Sequence, residues 1–235
     1  MDTVELLTQF NLTRQEASIY LTLLSEGELN GYEAAKLTGI SRSNTYNSLA
    51  ALVEKGGAFV VEGSVVRYAP VPIGEFCDNK IRKLLQTKEE LIKNIPRKRE
   101  EIEGYITIKG ETHILNKVRN MISEAKERVY LSVSEQILEY ILPDIEDAIG
   151  RGLKMVLITN KPYRLEGATV YHNEEKPQQQ IRLIADSSNV LTGDIDHGEY
   201  STCLYSKKKN LIDLFKDSMK NEIRLIEMMK GREET

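Results

Sequence analysis

The chain is predicted to be a multidomain α/β protein. It has an N-terminal winged helix-turn-helix over residues 1–72, a helical segment over 73–103 and an α/β domain over 104–235. Three observations predict this. Residues 31–70 hold two short helical patterns around a glycine-containing turn, followed by two short strand patterns. Residues 73–103 are highly charged, with apolar residues at heptad spacing. Beyond residue 104, strand and helix patterns alternate, as in an α/β layer. A length of 235 residues allows two modest domains, and 40% hydrophobic content allows each a packed core.

In chain order, Leu12 to Leu24 reads as an amphipathic helix, and Thr13 to Glu16 fits the capping-box spacing at its start. Tyr32 to Thr38 is a short helix, Gly39-Ile40-Ser41 a turn, and Arg42 to Lys55 a second helix capped by Ser41. At about 100° per residue, Thr45, Leu49, Leu52 and Val53 share one side of that helix and face a core. Ser43, Asn47 and Glu54 face the opposite way. Gly56-Gly57 stops the helix. Ala58 to Val61 and Val65 to Ala69 then form a two-stranded wing around Glu62-Gly63-Ser64, ended by Pro70 and Pro72.

The outer face of the second helix carries the chemistry. Ser41, Arg42, Ser43, Asn44, Tyr46 and Asn47 are types that hydrogen-bond phosphates and base edges. Asn pairs bidentately with adenine and Arg with guanine, and this helix is the one that enters a major groove. Arg67 is the wing's one cation, with a backbone phosphate as its expected partner. A solvated helix face, a protein-binding winged helix and an ordinary hairpin with a solvated Arg67 are the competing readings. Charge favours the competitors. Residues 1–75 carry five cations against nine acids, and the whole chain also sums to −4. Bulk attraction to phosphates is therefore weak, and base contacts from a dimer must supply affinity.

The helix Leu12–Leu24, the block Gly39-Ile40-Ser41-Arg42-Ser43-Asn44-Thr45-Tyr46 and the close Arg67-Tyr68-Ala69-Pro70-Val71-Pro72 together resemble the N-terminal winged helix of the TrmB family of transcriptional regulators. The pattern T-x-x-E-A-x-x-Y followed by G-I-x-R-S-x-x-Y is the family's. The resemblance implies DNA binding through Arg42 to Asn47.

Residues 73–103 are expected to form one long helix. Ile81, Ile95 and Ile102 share a heptad position that Lys88 interrupts, and Leu85 and Ile92 follow four residues on. Pro96 must kink or end it locally. The expected role is homodimerisation, which the resemblance also implies, with half-sites about 34 Å apart or a multiple of that. The competing reading is an amphipathic helix packed on its own domain.

In residues 104–235, strands are expected at Tyr105–Ile108, Arg128–Val133, Leu153–Ile158, Ala168–His172, Gln180–Ala185 and Tyr200–Tyr205. Helices are expected at Glu111–Ala125, at Ile137–Ile149 with a start possible after Pro143, and at Lys207–Met229. This order, with the stretch Arg182 to Gly193, resembles the phospholipase-D-like domain of TrmB regulators. Catalytic members of that superfamily carry His-x-Lys-x4-Asp. Here Gln180 stands at the His position, Arg182 at the Lys position, and Asp186 falls one residue early. None of His113, His172 and His197 begins His-x-Lys. The chemistry needs an imidazole nucleophile and a cation on the phosphate, so no catalytic residue is assigned, and a phosphodiesterase or nuclease is the alternative reading. An unknown small-molecule effector is expected at the carboxyl ends of the strands, where Thr159, Asn160, Asp186, Thr192 and Tyr200 are the candidates. Family members that respond to sugars use a further C-terminal domain for which this chain is short, so a sugar effector is not carried over.

No apolar run approaches the length of a membrane span, and Met-Asp-Thr-Val-Glu is not a signal peptide. Cys77 and Cys203, with no Cys-x-x-Cys, suit a reducing cytoplasm, and no metal or other cofactor is expected. His172 and His197 read as loop residues.

Overall fold

A computed structural model of the chain describes residues 2–96, 104–196 and 200–233, with side chains of the last helix described to residue 229. The chain divides into two compact units, Met1–Lys98 and Arg99–Thr235.

The first unit contains α1 (Thr3–Thr8), α2 (Arg14–Glu26), β1 (Leu29–Asn30), α3 (Gly31–Thr38), α4 (Arg42–Glu54), β2 (Ala58–Val61), β3 (Arg67–Pro70) and α5 (Ile73–Asn94). Local chemistry sets the starts of its helices. Thr13 and Glu16 cap α2 reciprocally, Asn30 and Glu33 do the same for α3, and Ser41 caps α4. Gly39 ends α3 in the left-handed region at φ 70°, where a residue without Cβ fits best, and so makes the sharp turn into α4. Leu12, Ile19, Tyr20, Leu23, Leu49, Leu52 and Phe76 close a core beneath these helices. The wing is three-stranded, in the order β1-β3-β2. β2 and β3 were expected, whereas β1, at two residues, and α1, at six, are additions the periodicity did not show.

Two contacts fasten α5 to that core. The Tyr20 hydroxyl donates to the Val71 carbonyl over 2.7 Å in a buried setting. Phe76, in the first turn of α5, lies 5.3 Å from the Tyr20 ring and 6.4 Å from Phe10. Phe76 is the helix's one buried residue. The helix closes at Ile95, just before Pro96, rather than continuing with a kink. The expected continuation to residue 103, including Ile102, lies outside the described residues.

The second unit contains β4 (Tyr105–Lys109), α6 (Glu111–Glu124), β5 (Arg128–Ser132), α7 (Glu135–Gly150), β6 (Lys154–Thr159), β7 (Ala168–His172), β8 (Gln180–Ala185), β9 (Asn189–Asp194), β10 (Thr202–Ser206) and α8 (Lys209–Glu233). The seven strands order as β4-β10-β9-β8-β5-β6-β7. β5, β6 and β7 are parallel, and the other pairs are antiparallel. α6 and α7 bury one face of the sheet through Val118, Ile122, Leu138, Ile141 and Ile145. α8 lies on the other face and buries Ile212, Met219 and Ile226 at seven-residue spacing against Ile158, Ile184 and Val190.

Two expectations are corrected. α7 begins at Glu135, capped by Ser134, and runs through Pro143. An interior proline costs a helix about 3 kcal/mol, but Ile137, Leu138, Ile141, Ile145 and Ala148 are all buried on one face, which offsets it. β9 (Asn189–Asp194) occupies residues where no strand was expected, and pairs with strands on both sides.

Candidate nucleic-acid interface

The interface is built on α4. Thr45, Ser48, Leu49 and Leu52 are buried and hold the helix against the core. The Thr45 hydroxyl donates back to the Ser41 carbonyl at 3.0 Å and steadies the first turn. That arrangement leaves Ser41, Arg42, Ser43, Asn44, Tyr46 and Asn47 all exposed on the outer face. These six expected residues are therefore presented together.

Two aromatic contacts shape this face. The Arg42 guanidinium lies 4.7 Å from the centroid of the Tyr32 ring, within range of a cation–π interaction. Tyr46 lies over the start of α3. A Cβ placed on Gly31 would come within 2.4 Å of its ring, so only glycine permits the approach. Both rings remain half exposed, Tyr32 at 52% and Tyr46 at 50%. Tyr32 was not singled out from the sequence, because nothing in its spacing marks it as a neighbour of Arg42.

Arg67 is engaged within its own unit. Its Nε pairs with Glu28 at 2.8 Å, and its Nη2 reaches Glu33 at 3.2 Å and the Glu28 carbonyl at 2.8 Å. The wing's one cation is thus held by two carboxylates of the same unit instead of pointing to solvent. Glu33, which also caps α3 with Asn30, was not singled out from the sequence. Arg14 pairs with Glu5, and Lys55 pairs with Glu16 at 2.6 Å. Of the five cations in residues 1–75, only Lys36 and Arg42 have no carboxylate partner among the described residues, and both are exposed.

In the second unit, the structure does not bring the five effector candidates together. Thr159 and Asn160 lie at the carboxyl end of β6, as expected, but both are engaged. The Thr159 hydroxyl donates to the Lys161 carbonyl at 2.7 Å, and the Asn160 side-chain oxygen accepts from the Glu135 backbone at 2.8 Å. Asp186 lies at the opposite end of the sheet, past the end of β8 that pairs with the start of β5. Its carboxylate accepts from the backbone N–H groups of Lys126, Glu127 and Arg128 at 2.8–2.9 Å. Burial works against its charge, but these donors and the nearby Arg128 outweigh it and hold the carboxyl below its usual range. Asp186 therefore fastens a turn. Thr192 lies mid-strand opposite Arg182, and Tyr200 is highly exposed. His172 lies in the last position of β7, and His197 lies outside the described residues. A cluster the sequence did not signal sits instead at the carboxyl ends of β5 and β6. It comprises Ser132, Asn173, Lys176, Arg182 and Glu222.

The model of the sugar-specific transcriptional regulator TrmB family matches residues 6–74, and that of the TrmB EBD N-terminal subdomain matches residues 104–218. Both halves thus match, in order.

The chain belongs to the TrmB family of transcriptional regulators.

Among its relatives, YrhO of Bacillus subtilis (strain 168) is 27% identical over 98% of this chain and 88% of its own length. The DNA-binding HTH-type transcriptional repressor TrmBL2 of Thermococcus kodakarensis is 29% identical over 77% of this chain and 76% of its own. A solved structure of TrmBL2, described as an archaeal chromatin protein, is 21% identical, covers 94% of this chain and 96% of that one, and has a TM-score of 0.44. By its two family matches, this TrmB-family chain is a DNA-binding transcriptional regulator, with a winged-helix unit and an α/β unit. No helix among the described residues is long and apolar enough to cross a membrane.

Proposed function

We propose that this regulator binds duplex DNA as a homodimer, reads base edges with α4, and responds to a small molecule through a non-catalytic second unit. The observation that carries the DNA reading is the outer face of α4. There Arg42, Ser43, Asn44, Tyr46 and Asn47 are all exposed, and Arg42 has no acidic partner among the described residues. Ser41, Arg42, Ser43, Asn44, Tyr46 and Asn47 are the proposed contacts, with Arg42 and the two asparagines on bases. Arg67 joins them only if Glu28 and Glu33 release it.

The dimer reading rests on α5. Ile81, Leu84, Leu85, Leu91, Ile92 and Ile95 are all exposed in the protomer. At about 100° per residue they fall within a sector of roughly 120°. A 22-residue helix with one buried side chain has an unused apolar stripe. Its heptad spacing suits a second copy of itself. The non-catalytic reading rests on Gln180 and Arg182 standing where the phospholipase-D-like pattern has His and Lys, and on Arg182 being engaged with Glu222. An effector that binds one arrangement of the two winged helices better would shift the population toward it and alter half-site spacing. A cytoplasmic location completes the reading.

The test is selection from a random duplex library with the full chain, together with light scattering of wild type and the Leu85→Glu, Ile92→Glu double variant. The expected result is one enriched sequence with two half-sites, a wild-type dimer and a monomeric variant that has lost most of its affinity. A monomeric wild type, or enrichment of no sequence, contradicts the proposal.

A further inference from the structure

The cluster at the carboxyl ends of β5 and β6 holds more positive than negative charge. Lys176, in the loop between β7 and β8, is only 4% exposed. Its Nζ donates to the Gln180 carbonyl at 3.0 Å, which uses one of its three donors. Arg182, on β8, donates from Nη2 to the Ser132 hydroxyl at 3.1 Å and to Glu222, while its Nε is buried without a partner among the described residues. Glu222 also accepts from the Asn173 side chain at 2.7 Å. Among the described residues Glu222 is the sole acid bonded to the cluster, and it stands on α8, a different element from both cations. Burying two cations against one carboxylate is costly unless something compensates them. The charge imbalance shows in Lys176 itself: burial, and then the proximity of Arg182, lowers its ammonium to about 8, against the pull of Glu222.

We propose that Arg182, Lys176 and Ser132 form a binding site for a dianionic phosphate group, and that the Glu222 carboxylate occupies it as an internal substitute. A planar guanidinium fork, an ammonium and a hydroxyl are the donors such a group needs. A dianion balances both cations, which a single carboxylate does not. The position fits too, since ligands of open α/β sheets bind beyond the carboxyl ends of parallel strands. Ser132 ends β5, and Thr159 ends the adjacent β6. Glu222 lies between Met219 and Ile226, the residues that seat α8 on the sheet, so phosphate entry removes a polar contact from the middle of that helix. This inference deepens the sensing role proposed above and rests on it only for its regulatory consequence.

The probe is inorganic phosphate, titrated into the full-length protein by calorimetry at pH 7, with glycerol phosphate and acetate in parallel. Wild type is expected to bind phosphate weakly, Glu222→Gln at least tenfold tighter, and Arg182→Gln not at all. Acetate should gain nothing from Glu222→Gln. Tighter binding of glycerol phosphate than of phosphate identifies an ester rather than the free ion as the better ligand. A second measurement covers the case in which Glu222→Gln does not fold. Phosphate should then raise the melting temperature of wild type more than sodium chloride of equal ionic strength, and Arg182→Lys should reduce the rise. Equal stabilisation by the two salts in wild type, or equal phosphate affinity of wild type and a folded Glu222→Gln, overturns the site. Phosphate binding that leaves DNA affinity unchanged upholds the site and contradicts the sensing role instead.

Discussion

The Arg42 guanidinium rests on the face of Tyr32, 4.7 Å from the ring centroid, so the residue proposed to read guanine is held by an aromatic ring from the preceding helix. This contact limits the conformations of a long flexible side chain before DNA arrives, which lowers the ordering cost of binding. Arg42→Ala should weaken specific DNA binding by about 1–3 kcal/mol. Tyr32→Ala should cost less, on the order of 0.5–1 kcal/mol. Tyr32→Phe, which keeps the ring, should be near neutral. Competition binding on one duplex separates these cases, and a Tyr32→Phe loss equal to that of Tyr32→Ala would remove the stacking argument.

The clamp on Arg67 predicts a gain of function. Replacing Glu28 and Glu33 by Gln removes both carboxylates from the guanidinium. The freed cation should then reach a phosphate and steepen the log–log salt dependence by about 0.9 per half-site. Wild type, with Lys36 and Arg42 as its unpaired cations in residues 1–75, should show a shallow dependence, about −4 or less for two half-sites. Affinity measured between 50 and 200 mM salt reads both slopes. Identical slopes for wild type and the double variant would show that Arg67 gains no phosphate.

The attachment of α5 to the winged helix depends on Tyr20 and Phe76. Tyr20→Phe leaves the Val71 carbonyl without its buried donor and should cost about 1–3 kcal/mol of unfolding free energy. Phe76→Ala empties a site against Tyr20 and Phe10 and should cost about 3–5 kcal/mol. Denaturant unfolding of the intact chain, followed by a probe in the first unit, measures both. A cost below about 0.5 kcal/mol for Phe76→Ala would show that the helix is not fastened there.

Lys176 should make stability depend on pH. Its ammonium loses its proton near 8 in the folded protein, against an ordinary value of 10.5. Between these values the unfolded chain binds more protons, so its contribution to stability rises with pH. Arg182 and Glu222 are the charged groups beside it. Cys203 acts in the opposite direction above about pH 9, because burial, and then Asp194, pushes its thiol up to about 12. Comparing wild type with a variant that lacks only Lys176 isolates the lysine. Lys176→Met should gain relative to wild type at pH 7.5, and that gain should shrink by pH 9, by at most about 1 kcal/mol per pH unit. A difference constant with pH would contradict the assignment.

The winged helix was legible because its signals are local. Thr13 and Glu16 mark one helix start, Ser41 another, and Gly39 lies in the turn between α3 and α4. The periodicity that exposed Ser43 and Asn47 also buried Thr45 and Leu49. Short elements escaped, since α1 and β1 hold too few residues for a period to appear. β9 escaped because its pairing with β8 and β10 is decided at long range. The same limit applies to charged side chains. Arg67 and Glu28 are 39 residues apart, and Arg182 and Glu222 are 40. No spacing rule links them, so the sequence left one cation free that the fold has paired, and left the Lys176 cluster unseen.

The most direct test of the central claim is the affinity of wild type and Arg42→Ala for the duplex that wild type selects, measured across a salt series beside a scrambled duplex. Reading of bases by α4 predicts that Arg42→Ala loses affinity roughly ten- to hundredfold on the selected duplex and much less on the scrambled one. An equal loss on both would make Arg42 a phosphate contact alone. No loss on either would place DNA recognition elsewhere on the molecule.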